Sequence, residues 1–178
     1  HIDHNAFQHC HELTFINMGN SVVSMGNVAF ENTDRLGTVT LPDSLTSIGG
    51  GAFRNSALTS IIVPDSVTYI GAEAFNYCGS LSSLTLGDAI ETMEYATFHL
   101  CTSISTPLSL PSVRRVKRFA FYGVGAPSIT FGDALTAIDS HAFFQAGLTS
   151  LTFPDSLEFI GDLTFTYCPF TSLTIPNS

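Results

Sequence analysis

Residues 58–78 read LTSIIVPDSVTYIGAEAFNYC, and the features of that stretch return along the chain at a nearly fixed interval. Its phenylalanine belongs to a series, Phe7, Phe30, Phe53, Phe75, Phe98, Phe121, Phe143 and Phe165, separated by 23, 23, 22, 23, 23, 22 and 22 residues. A small residue precedes each one: Ala6, Ala29, Ala52, Ala74, Ala120 and Ala142, with Thr97 and Thr164 in the remaining two turns. A period of this length marks a solenoid, in which one unit cannot bury its apolar face and stacked neighbours bury it together.

Within the unit, Leu58, Ile61 and Val63 are spaced by three and then two residues, as are Leu36, Val39 and Leu41, Leu81, Leu84 and Leu86, and Leu148, Leu151 and Phe153. Alternation with period two in Val, Ile and Leu predicts one short strand per turn facing the core. Pro42, Pro64, Gly87, Gly132, Pro154 and Pro176 close these strands, and Asp43, Asp65, Asp88, Asp133 and Asp155 follow as turn formers. A return arm comes next, with apolar pairs such as Leu45 and Ile48, Val67 and Ile70, and Leu135 and Ile138. From Gly71 to Tyr77 the residue types suit one or two helical or 3-10 turns, so brief helices are expected on the convex side. The sequence therefore predicts an α/β repeat solenoid of about eight turns over 1–178, a single domain, cut in mid-repeat at both ends. Turn five departs from the pattern: Pro107, Leu108 and Leu110 arrive one residue late and Pro111 to Val113 restore the count, which predicts a bulge or kink in the sheet.

The run from Leu58 to Cys78, with its apolar spacing, Pro-Asp-Ser turn, Ala-Phe pair and cysteine, resembles the BspA-like, or Treponema pallidum type, leucine-rich repeat. The resemblance covers nearly the whole chain. It implies an arc-shaped leucine-rich-repeat solenoid with one short parallel strand per turn. It further implies a place among surface-exposed adhesins or binding proteins, hence an extracellular or cell-surface location. The asparagine many leucine-rich repeats carry after the strand is replaced here by Ser44, Ser66, Ala89, Ala134 and Ser156.

Composition excludes several functions. Fifteen acids against six bases give a net charge of −9, which repels nucleic acid, since phosphate neutralisation needs clustered Lys and Arg. No apolar run reaches the length of roughly 20 residues needed for a transmembrane helix. Cys10, Cys78, Cys101 and Cys168 each lie three residues after a repeat phenylalanine, so they are read as free thiols packed inward. Cys78 and Cys101, on adjacent turns, are the pair that a disulfide would join if the backbone allowed it.

No cofactor, metal or catalytic residue is assigned. His4, His9, His11 and Cys10 supply metal-ligand types without a recognised zinc spacing, and one aspartate per turn is too sparse for Ca²⁺. His99 and His141 stand on different turns with no nucleophile elbow or paired carboxylates, so the chain is not read as an enzyme. Gly49-Gly50-Gly51 lacks the lysine of a phosphate loop.

Two surfaces are candidates for contact. The residues flanking each central strand position, Thr38 and Thr40, Ser60 and Ile62, Ser83 and Thr85, Ser128 and Thr130, Ser150 and Thr152, Ser172 and Thr174, are expected to point outward as two columns on the concave face. Arg114, Arg115, Lys117 and Arg118 bring four of the six bases into turn five, an island for an acidic partner or a solvated face balancing Glu91 and Glu94. The favoured function is recognition of another protein or cell-surface macromolecule. A structural subunit held in a larger assembly is the runner-up, and a regular-surface binder of ice or mineral is third.

Overall fold

The computed structural model describes residues 1–175, so Pro176 lies outside the described residues. Each repeat contributes two short strands. The longer ones are β1 (Phe15–Asn17), β3 (Thr38–Thr40), β5 (Ser60–Ile62), β7 (Ser83–Thr85), β9 (Leu108–Leu110), β11 (Ser128–Phe131) and β13 (Ser150–Thr152). The return arm supplies β2 (Ser24–Met25), β4 (Ser47–Ile48), β6 (Tyr69–Ile70), β8 (Thr92–Met93), β10 (Arg115–Val116), β12 (Ala137–Ile138) and β14 (Phe159–Ile160). Every pairing is parallel and joins strands one turn apart, with core residue on core residue: Ile16 on Val39, Ile61 on Leu84, Ile129 on Leu151. The result is a parallel β-solenoid of about seven turns bearing both strands.

The expected helices are absent: among the described residues there is none, and the α/β assignment is corrected to an all-strand-and-turn coil. The reason lies in the backbone. Two residues before and two after each repeat phenylalanine the chain enters the left-handed region, as at Val28 (φ 50°) and Asn32 (φ 56°) around Phe30, or Glu73 and Tyr77 (both φ 60°) around Phe75. A right-handed helix cannot pass through such residues. Alternation instead aims every second amide at the next turn: Val28, Phe30 and Asn32 donate to the carbonyls of Gly50, Ala52 and Arg54 at 2.8, 2.7 and 2.9 Å. This arm is a third hydrogen-bonded wall, and its bonds run between turns rather than within one.

Inside the three walls the phenylalanines form one file from Phe7 to Phe165, with ring centroids 5.0 to 5.6 Å apart and planes inclined by only 2 to 14°. From Ala29 to Thr164 the preceding small residue is buried, and where it is threonine the extra hydroxyl is satisfied locally: Thr97 donates to the Glu94 carbonyl at 2.9 Å and Thr164 to that of Gly161 at 2.7 Å.

Turn five shows the expected irregularity as a break. The long strands form two ladders, β1-β3-β5-β7 and β9-β11-β13, and Leu108 rather than Pro107 pairs with Ile129. Proline falls where Ser83 sits in the preceding turn and has no N–H to give the ladder. The return ladder is interrupted one turn earlier, between β6 and β8. The third wall crosses both breaks, through Phe75 donating to Thr97 at 2.9 Å and Phe98 to Ala120 at 2.8 Å.

Two stability tests follow from this packing. Phe98→Ala empties a fully enclosed site and is expected to cost about 3–5 kcal/mol, whereas Phe7→Ala, 43% exposed, costs clearly less; equal shifts in denaturant unfolding would contradict the file. Val28→Asn places a residue tolerant of the left-handed region at φ 50° and is expected to stabilise by about 1 kcal/mol, read as a higher unfolding midpoint.

Candidate functional site

The strands raise their flanking residues outward because alternate side chains take opposite faces. Thr38 and Thr40 are exposed on either side of buried Val39, and Ser60, Ile62, Ser83, Thr85, Ser150, Thr152 and Thr130 are exposed likewise, with Ser128 half-buried. Strand register aligns them: Phe15, Thr38, Ser60 and Ser83 form one file, and Ser128 pairs with Ser150. In the other, Ile62 pairs with Thr85, and Thr130 pairs with Thr152, which is bridged to Thr174. Ser172 is exposed but lies outside a strand. Three members of the face escaped the sequence reading: Phe15 and Asn17 on β1, and Ser109, which pairs with Thr130. Their signal was the same period of two, around Ile16 and between Leu108 and Leu110.

Hydroxyls on this protein fall into two kinds. Thr59, Ser82 and Thr149, just before the strands, donate to carbonyls of the preceding turn at 3.0 to 3.1 Å. Among the described residues, those of Thr38, Thr40, Ser60, Ser83, Thr85, Thr130, Ser150 and Thr152 have no side-chain bond within the chain. Their donors and acceptors are open to a partner.

Across β3, β5 and β7 the face sinks into a trough of about 830 Å³. Its floor carries Thr38, Thr40, Ser60, Thr85 and Ile62, the last 70% exposed, and Asp43 and Asp65 stand at its edge. Asp43, Asp65, Asp88, Asp133 and Asp155 are all exposed, and among the described residues none forms an ion pair. The Asp65 carboxylate accepts one backbone bond, from the Asp88 amide at 3.1 Å.

The basic island is arranged differently. Arg114 lies 3.5 Å from Glu91, Arg115 2.7 Å from Asp139, and Lys117 2.7 Å from Glu94, while the Arg118 guanidinium stacks 4.5 Å above the Phe119 ring. Three of the four cations thus have acids from adjoining turns beside them. The exposed pairs of Arg114 and Arg115 are individually weak.

A further surface, which the sequence reading did not single out, covers the phenylalanine wall. The residue after each repeat phenylalanine lies on it, and the N-terminal members, joined by Glu73 from two residues before Phe75, form a polar chain: Gln8 to Glu31 at 2.5 Å, Glu31 to Arg54 at 2.5 Å, Arg54 to Glu73 at 2.6 Å, Asn76 to Glu73 at 3.4 Å, and His99 to Asn76 at 3.0 Å. Hydrogen bonding to Glu73 holds the Arg54 guanidinium more basic than usual, and burial makes His99 less basic. Beyond His99 the column turns aromatic. Tyr122 stacks on Phe144 at 5.1 Å, with Phe119, His141 and Tyr167 packed around them.

The thiols are free, as expected. Cys78 and Cys101 are buried and donate to the carbonyls of Phe53 and Phe75 at 3.1 Å. Cys10 and Cys168, in the first and last of the described turns, are only partly covered, which corrects the expectation that all four face fully inward. Burial raises the Cys101 thiol and lifts Cys168 to about 11. The N-terminal ligand types are dispersed: the His4 ring accepts from the Asn27 amide at 2.8 Å and His11 meets Asp34 at 2.8 Å. Among the described residues, no three histidine, cysteine or carboxylate groups converge as a metal would require. In native buffer a maleimide should modify Cys10 first and Cys168 slowly, leaving Cys78 and Cys101 until denaturation; mass mapping that finds Cys101 labelled in the folded protein would refute the inward assignment.

Comparison with known proteins agrees with this geometry. A family model described as the BspA type leucine rich repeat region matches residues 1–126 and 114–178, in 6 copies. No curated protein matches. Among solved structures, a leucine rich cell surface protein from Faecalibacterium prausnitzii is 26% identical over 91% of this chain and 47% of its own, with a TM-score of 0.78. A leucine-rich repeat protein from Bacteroides ovatus is 26% identical over 88% of this chain and 48% of its own, with a TM-score of 0.66. The Treponema pallidum leucine rich repeat protein shares the fold at 23% identity, over 81% of this chain and 68% of its own, with a TM-score of 0.68. The chain therefore spans about half the length of the first two.

Proposed function

The chain belongs to the BspA-type leucine-rich-repeat family, and on that premise we propose that it is a recognition or adhesion module that binds another protein or cell-surface macromolecule across its strand face. The same reading favours work at the cell surface, since a solved relative of this fold, from Faecalibacterium prausnitzii, is described as a leucine rich cell surface protein. One observation carries it: the strand-face hydroxyls are aligned, exposed and unused by the chain itself, whereas hydroxyls one residue away are bonded to backbone. A fold alone names no partner; the exposed strand face is what can select one. Extended solenoid surfaces of this kind gain affinity from many modest contacts around a few anchors.

The double variant Ser60→Tyr/Ser83→Tyr sets two rings on the strand face, Ser60 lining the trough and Ser83 paired beside it, without adding charge or touching the core. In affinity capture from the native source, it is expected to retain at least tenfold less of the macromolecule held by the unaltered chain. Undiminished retention would remove the strand face from consideration. Reversing Arg114, Arg115, Lys117 and Arg118 to Glu in parallel separates the two candidate surfaces: loss only in that variant would transfer the contact to turn five.

A further inference from the structure

Resting on that strand-face reading, we propose that the trough over β3, β5 and β7 docks a basic, extended polypeptide segment, its Lys or Arg side chains meeting Asp43, Asp65 and Asp88 and its apolar stems lying on Ile62. The geometry supplies the shape: a trough of about 830 Å³ whose floor exposes Ile62 and whose edge bears Asp43 and Asp65. Charge supplies the class of partner. Residues 36–53 and 55–113 contain no Lys or Arg, so no cation of the strand arm stands against these carboxylates. The nearest bases in sequence are engaged elsewhere, Arg35 with Glu12 and Arg54 with Glu31 and Glu73. A concave, low-dielectric surface edged by uncompensated charge of one sign concentrates ligands of the opposite sign and speeds their arrival.

Other occupants fit less well. Nucleic acid, anionic lipid and acidic glycans are repelled by the same carboxylates. A divalent cation needs several oxygen ligands around one point, while one aspartate per turn spaces them by about 4.8 Å along the ladder. Lysine and arginine have long stems that cover apolar surface while their heads stay polar, which matches a floor with one exposed isoleucine and an acidic edge. Arginine adds a two-pronged bond to carboxylate, and the free strand hydroxyls can bond the main chain of an extended segment.

The probe is a ten-residue peptide of alternating Lys and Ser, with a Glu-Ser peptide as its counterpart, measured by fluorescence anisotropy at low and high salt. Asp43→Asn/Asp65→Asn/Asp88→Asn, with asparagine keeping the turns, is expected to weaken binding of the basic peptide at least tenfold and flatten its salt dependence. Whereas Asp43 and Asp65 line the trough and Asp88 adjoins its lining residue Gly87, Asp3→Asn/Glu158→Gln/Asp162→Asn removes the same charge from exposed positions that neither line the trough nor adjoin a lining residue, and should change affinity less than twofold. The triple Asp→Glu variant should restore binding, and Ile62→Ala should weaken it threefold or more. Equal losses in the two charge-removing variants, or no binding of the basic peptide, would overturn the proposal. If captured macromolecule is lost in Ser60→Tyr/Ser83→Tyr but not in the Asp→Asn triple, the strand-face reading stands and the basic partner falls. If neither variant loses it, both fall.

Discussion

Everything in this molecule follows from the need of each backbone amide in one turn to find its carbonyl in a neighbouring turn. That requirement sets the rise of the coil near the strand spacing of about 4.8 Å, and side chains must stack at that rise whatever their own preference. The phenylalanine rings meet it by lying nearly parallel with centroids 5.0 to 5.6 Å apart, which leaves them offset rather than in face-to-face contact. The small residue before each ring and the glycine that follows β2, β4, β6 and β14 answer the same constraint. A Cβ at Gly71 would stand 2.4 Å from the Gly50 nitrogen, so the neighbouring turn has already taken its space.

The parts of the fold that bury apolar side chains were legible because burial has a period. Core residues such as Leu58, Ile61 and Val63 could be placed from spacing alone, and the break at turn five from one misplaced proline. The phenylalanine wall was misread for an equally physical reason. Ala-Glu-Ala-Phe has good local helix propensity, but the turn is held by bonds to its neighbours, and tertiary pairing overrides a preference worth a few tenths of a kcal/mol per residue. Nor do the residue types announce the left-handed positions consistently. Gly51, Asn32 and Asn55 suit them, whereas Val28, Leu100, Phe119 and Leu163 do not.

Of the candidate surfaces, the strand face could be listed residue by residue from the alternation, apart from Ser109 and the pair on β1. The aromatic patch around Tyr122 and Phe144 could not, because nothing in a line of sequence says that the residue after each phenylalanine points outward on a turn with two left-handed corners. Charge clusters are visible in sequence but their neutralisation is not. Arg115 and Asp139 are separated by 24 residues, and only the stacking of adjoining turns puts them 2.7 Å apart. The five strand-end aspartates, equally visible, have no such neighbours because the strand arm has no base to offer.

This division of labour also bears on what kind of surface the protein can present. The enclosed positions are dictated by the rise of the coil, so variation between turns is confined to the outward columns. Those columns are not uniform here. Phe15 and Ile62 interrupt the hydroxyls, Pro107 splits the long ladder, and the aspartate row gives way at Ser112 in turn five before resuming at Asp133. A partner with a translational lattice, such as ice or a mineral face, would need one repeated chemistry over an unbroken sheet. Two short ladders, the first with an apolar residue at its centre and carboxylates along one edge, instead suit a partner of limited extent whose own chemistry changes along its length, as that of a polypeptide does.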